Sequence, residues 1–126
     1  MLVAMSAVAL NPLDLAVASG RFYGGSPPLP YVPGLDGIGR VVGGALLPPG
    51  TRVYLRGAGL GLVRDGTLAQ LVAVPGEAVL AIPERVEDAQ AAALGVAGLA
   101  GWLPLSWRAP VRPGECVLVL GGTGAV

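Results

Sequence analysis

Turn-forming residues punctuate the middle of this chain so densely that only short extended segments fit between them. Residues 24–33 carry Gly24, Gly25, Pro27, Pro28, Pro30 and Pro33, which precludes regular structure and makes this stretch a surface loop. Further on, Pro48-Pro49-Gly50 and Asp65-Gly66 separate runs rich in Val and Ile at 37–43, 51–56 and 67–74, which read as short strands. Several short strands spaced by turns argue for a small barrel or sandwich. A chain of 126 residues can bury one core but is too short for two complete domains of ordinary size.

The flanks read differently. Residues 1–10 form a continuous apolar run with Val3 and Val8 and no polar alternation, which predicts a strand buried on both faces with a partner on each side. Asn11 can cap a short helix over 13–18, with Pro12 at its first position, Asp14 in its first turn and Gly20 closing it. Past Pro83, the acids Glu84, Glu87 and Asp88 precede an Ala-rich stretch, as suits a helix amino end; that helix is expected to reach Leu103 and stop before Pro104. Trp102 and Trp107 are expected to anchor its packing, and Arg40 and Arg52 to form surface or strand-end ion pairs. Residues 111–115 make a turn, and 116–120 form an apolar strand, with Cys116 as a small buried residue, running into Gly121-Gly122-Thr123-Gly124. A buried strand feeding a glycine turn is how a dinucleotide-binding βαβ unit begins.

Composition removes several function classes. Eight basic residues, all arginine, balance eight acids, so the chain has no electrostatic footprint for nucleic acid or an anionic membrane surface. The absence of histidine removes the commonest metal ligand and the commonest neutral-pH general base, and the single cysteine excludes an internal disulfide and a cysteine cluster for zinc. No metal site is expected, and a reducing, cytoplasmic setting fits this cysteine usage. Because 53% of the residues are hydrophobic, membrane insertion has to be weighed. The apolar start has no basic flank and runs into Asn11, Pro12 and Asp14, which does not suit a signal peptide. The uncharged run 89–107 is mostly Ala and Gly, carries Gln90 and is interrupted by Pro104, which favours a buried helix over a spanning one.

Six blocks in order carry a resemblance to a known family. "AVALNPLDLAVASGRF" and "LPYVPGLDGIGRVV" are followed by "GTRVYL", "GTLAQLVAVP", "AAALGVAGLAGW" and "RPGECVLVLGGTG". Together they resemble the first domain, and the start of the second, of medium-chain dehydrogenases/reductases of the quinone oxidoreductase branch. The resemblance implies a mainly β fold with short helices: a GroES-like, partly open β-barrel over residues 1–86. An interdomain helix and the first strand of a truncated Rossmann α/β domain would then occupy 87–126.

Zinc-dependent members of that family place a cysteine where Asn11 stands and a His-Glu pair where Leu35-Asp36 stand. Leucine cannot ligate a metal, and zinc requires thiolate, imidazole or carboxylate donors. What the resemblance leaves is zinc-free hydride transfer from NADPH to an activated double bond in a small-molecule quinone or enone, with an aldehyde as a further substrate class.

On the same basis Asn11 is a candidate to hydrogen-bond near the nicotinamide or the substrate carbonyl, besides capping its helix. Asp36 is a candidate to orient the cleft loop, or simply a turn carboxylate within "PGLDG". Ala16 replaces one tyrosine common in this branch, and Tyr23 stands one residue from the place of another. Ala100 replaces a threonine that faces the cofactor, while Gly121, Gly122, Thr123 and Gly124 would meet its pyrophosphate. Members of the family carry a hairpin before the strand that residues 1–10 resemble. Without it, unpaired sheet edges would favour association, including homodimers. The expectation is therefore an oxidoreductase segment inactive by itself, with a non-catalytic GroES-like association module as the alternative.

Overall fold

The computed structural model describes residues 1–122 and 124. Its framework is one five-stranded sheet in the spatial order β4-β1-β2-β3-β5, open at both ends: β1 (Leu2–Ala7), β2 (Asp36–Gly43), β3 (Arg52–Arg56), β4 (Leu71–Ala73) and β5 (Val79–Ala81). All neighbouring strands run antiparallel. The expectation of a mainly β fold with short helices is therefore met, with the sheet unclosed.

Strand β1 has its two partners, β2 and β4, but it is not buried on both faces: Val3 is fully buried while Leu2 is 39% exposed. An antiparallel sheet buries one face against its core and wets the other, so uniform apolarity in the sequence does not mean uniform burial. Val3, Val41, Val53, Leu55, Leu60, Val72, Val74 and Ala78 make the principal core. Gly39 allows β1 and β2 to approach: a Cβ there would collide with the Ala4 carbonyl oxygen and lie 2.7 Å from Val3 Cγ1.

Helix α1 (Pro12–Ala18) starts where the Asn11-Pro12 signal places it, and the Asp14 carboxylate accepts the Asn11 backbone N–H at 2.7 Å. The strand expected over 67–74 shrinks to β4, because Thr67 and Leu68 donate their backbone N–H groups to Gly34 and Pro33 carbonyls and so join a loop instead of the sheet. Strand β5 was not anticipated; it follows a 3-10 turn (Gly76–Ala78) and forms the sheet edge beside β3.

The long helix expected after Pro83 is two helices, α2 (Asp88–Ala93) and α3 (Val96–Leu103), broken at Leu94-Gly95. Pro104 does not end the helical path. A wide turn (Pro104–Arg108) continues it, closed by the Ala109 N–H on the Pro104 carbonyl at 2.7 Å; Pro104 itself has φ −58°, the value its ring favours and one a helix accepts. Trp102 and Trp107 are 68% and 71% exposed, so neither anchors packing. No helix among the described residues is long and apolar enough to cross a membrane.

The segment 116–120 forms no strand among the described residues, and Cys116 is exposed, not buried. A strand is defined by its ladder, and this one has no neighbour to pair with.

Candidate functional site

Four of the buried polar residues gather at the junction where the loop 31–36 enters β2. Asn11, Asp14, Asp36 and Thr67 are all buried there, at 5%, 4%, 1% and 0% exposure. Buried polar side chains persist only when hydrogen-bonded, so their bonds define what the site is built to hold. Asp14 Oδ1 accepts the Leu35 N–H at 3.0 Å while its Oδ2 takes the Asn11 N–H, fixing the cleft loop to the start of α1. Thr67 Oγ1 donates to the Asp36 carbonyl at 2.6 Å. Gly34 has φ +107°, and Gly61 and Gly66 pack so closely on its backbone that a Cβ on either would strike the Gly34 carbonyl oxygen.

Asp36 stands at the centre of this arrangement. Its Oδ2 accepts the Tyr54 hydroxyl at 2.6 Å and the Val96 N–H at 3.2 Å, whereas its Oδ1 is buried without a partner. Burial raises the Asp36 pKa above its ordinary value, against the lowering effect of the Tyr54 and Val96 hydrogen bonds, and the nearby Asp14 charge pushes it the same way as burial. Tyr54 is likewise held above the ordinary phenol range, by burial first and then by its bond to Asp36. Sequence reading did not single out Tyr54. The run 51–56 between turn signals places it on a strand, but only the β2–β3 register, which puts Tyr54 opposite Ile38, brings it to Asp36.

Asn11 offers the complementary feature: its Nδ2 is buried and has no hydrogen-bond partner among the described residues. Tyr23 lies elsewhere. It is 98% exposed on the loop, its ring 4.6 Å from that of Phe22, and it makes no bond to the Asn11–Asp36 group. Ala100 is half-buried on α3. Between β3, β5 and the two helices lies an apolar cavity of about 520 Å³, walled by Tyr54, Leu80, Ile82, Leu94 and Leu99 with Arg56 among its lining.

A dinucleotide would need the glycine turn plus a helix whose free N–H groups face its pyrophosphate. Gly121 adopts φ +68° and the Gly124 N–H donates to its carbonyl at 2.8 Å. Thr123 lies outside the described residues, and no helix follows Gly122 among those that are described. No group of His, Cys, Asp and Glu suited to a metal occurs among the described residues.

An open antiparallel sheet, a short capped helix and a buried carboxylate at the head of β2 define a GroES-like β domain. Residues 1–84 match the alcohol dehydrogenase GroES-like domain, and the chain belongs to that family, within the medium-chain dehydrogenases/reductases. It is 36% identical, over its whole length, to the zinc-type alcohol dehydrogenase-like protein C337.11 of Schizosaccharomyces pombe, of which it covers 38%. Over 99% of its length it is 37% identical to 2-methylene-furan-3-one reductase of Solanum lycopersicum, covering 34% of that protein. Among solved structures, the quinone oxidoreductase of Thermus thermophilus, also solved in complex with NADPH, aligns over 98% of this chain and 37% of its own with a TM-score of 0.72 and 35% identity. The chain thus spans little more than a third of the length of these relatives.

Proposed function

We propose that this chain is the substrate-side portion of a zinc-independent, NADPH-dependent oxidoreductase of the quinone or enone reductase type. In this reading residues 1–86 shape the substrate cleft, and 87–126 contain the interdomain helix and the start of the cofactor domain. NADPH supplies the hydride, and a quinone, enone or aldehyde accepts it. Asn11 offers its free Nδ2 to the substrate carbonyl, Asp36 holds the cleft loop, Tyr23 lies on the exposed loop before that cleft, and Ala100 with Gly121, Gly122, Thr123 and Gly124 faces the cofactor.

The observation that carries this reading is the pairing of Asn11 with Leu35. The Asp14 carboxylate ties both backbones into one frame, and neither side chain can supply the thiolate or imidazole that a catalytic zinc requires. The likeness to an enone reductase and to a quinone oxidoreductase supports the same substrate class.

The test is NADPH consumption by the longer protein that carries this chain, with a quinone and an enone, in the presence of a strong chelator. Turnover that survives chelation is expected; turnover abolished by chelation and restored by zinc would overturn the zinc-free reading. The 126-residue chain itself should leave NADPH fluorescence unquenched, and a micromolar response would place a complete cofactor site within it. A second reading, a non-catalytic module acting through association, draws on the open sheet edges β4 and β5, where Leu71 and Leu80 are 55% and 50% exposed. Sedimentation of the chain as a monomer would remove that reading.

A further inference from the structure

Helix α3 presents a physical problem: it is apolar, yet it buries none of its residues. Helices in folded domains are normally held by burial of an apolar face, so something else must set where α3 points. Its first residue answers this, because the Val96 N–H donates to Asp36 Oδ2, the oxygen that also accepts the Tyr54 hydroxyl. The preceding residue adds a steric condition. A Cβ at Gly95 would overlap Asp36 Oδ2 and lie 2.5 Å from the Tyr54 hydroxyl oxygen, so only glycine lets the helix break sit on this pair.

We infer that Asp36 and Tyr54 are positioning residues that clamp the α2–α3 break at Gly95, fixing the direction in which α3 leaves the sheet. The Tyr54 hydroxyl orients the carboxylate, the carboxylate holds the first N–H of α3, and Gly95 leaves the space in which the two meet. Because Asp36 also ends the loop that Asp14 and Thr67 secure, the clamp joins the 31–36 loop to the helix through one side chain. The inference concerns the chain's own architecture and stands whether or not the oxidoreductase reading does.

Amide hydrogen exchange tests it without reference to activity. In the unmodified chain the Val96 amide should be protected along with those of β2; exchange of Val96 at the rate of an unstructured peptide while β2 is protected would overturn the clamp. Tyr54→Phe keeps the ring and removes only the hydroxyl, and should speed exchange across 96–103 by about tenfold while β1–β2 amides keep their protection. Gly95→Ala should act on the same segment. Asp36→Asn retains an acceptor oxygen and should keep most of the protection at Val96, whereas Asp36→Leu, with the same branching but no acceptor, should lose it. Equal acceleration over sheet and helix in Tyr54→Phe, or equal behaviour of the Asn and Leu variants, would show ordinary packing residues and no clamp.

Discussion

The Arg52 guanidinium, almost wholly buried at the start of β3, donates from Nε to Asp88 Oδ1 at 2.7 Å, joining the sheet to the first residue of α2. Its cross-strand neighbour Arg40 pairs with Glu84 through two bonds of 2.9 and 2.8 Å. Adjacent arginines would repel each other, and the acids of the 84–88 segment answer both. The two pairs differ in weight: Arg40–Glu84 is solvent-exposed, whereas Arg52 cannot recover water if its partner is lost.

Asp88→Ala should therefore destabilise the domain by about 2 kcal/mol, because it strands a buried cation. Arg52→Met, which removes the charge and fills the space, should cost less than Asp88→Ala, and Glu84→Ala, which breaks only a solvent-exposed pair, should cost least. Urea unfolding of the three variants orders them; a loss for Arg52→Met or Glu84→Ala as large as that for Asp88→Ala would contradict the burial argument.

Asp36 should leave a signature in the pH dependence of stability. Its folded-state pKa is raised, so its contribution is fully present below the unfolded value of 3.8 and is lost as pH rises through the higher folded value. Asp88 and Glu84 are lowered, Asp88 by Ser6 and Arg52 and Glu84 by Arg40, and act in the opposite sense, losing stability as pH falls. Comparing wild type with Asp36→Asn isolates the first effect. The stability of wild type relative to the variant should decline with rising pH from below 3.8 and then level off, and a difference independent of pH would refute the raised value.

Glycines of the 31–36 and 57–66 loops test the close packing of that junction. Gly66→Ala drives a methyl into the Gly34 and Pro33 carbonyls and should cost about 3 kcal/mol or more. Gly50→Ala meets open space and strains only a φ of +86°, for a cost of about 1 kcal/mol. Thermal denaturation distinguishes these, with Gly66→Ala melting lower.

Leu55, fully buried in the principal core, should lose about 2–5 kcal/mol on substitution by alanine. Leu118→Ala, at a position 85% exposed, should stay within about 0.5 kcal/mol in this chain. A large loss at Leu118 would mean that 116–120 pairs with a strand after all.

Local chemistry made much of this legible in the sequence. Proline and glycine mark turns by their own backbone limits, and Asn11-Pro12 with Asp14 starts a helix through contacts within one turn, so the loops, α1, β2 and β3 could be read from neighbouring residues. Ordered motif blocks carried the family, and missing ligand types carried the expectation of zinc-free chemistry. Long-range geometry was a different matter. The break between α2 and α3, the shortening of β4 and the bond from Tyr54 to Asp36 each join residues distant in sequence, and no local pattern encodes them. Asp36 shows the division most plainly. As a residue of "PGLDG" it reads as a turn carboxylate, and only the β2–β3 register and the packing of α3 bury it between a phenol and a helix end, where loss of water and convergence of donors give it its properties.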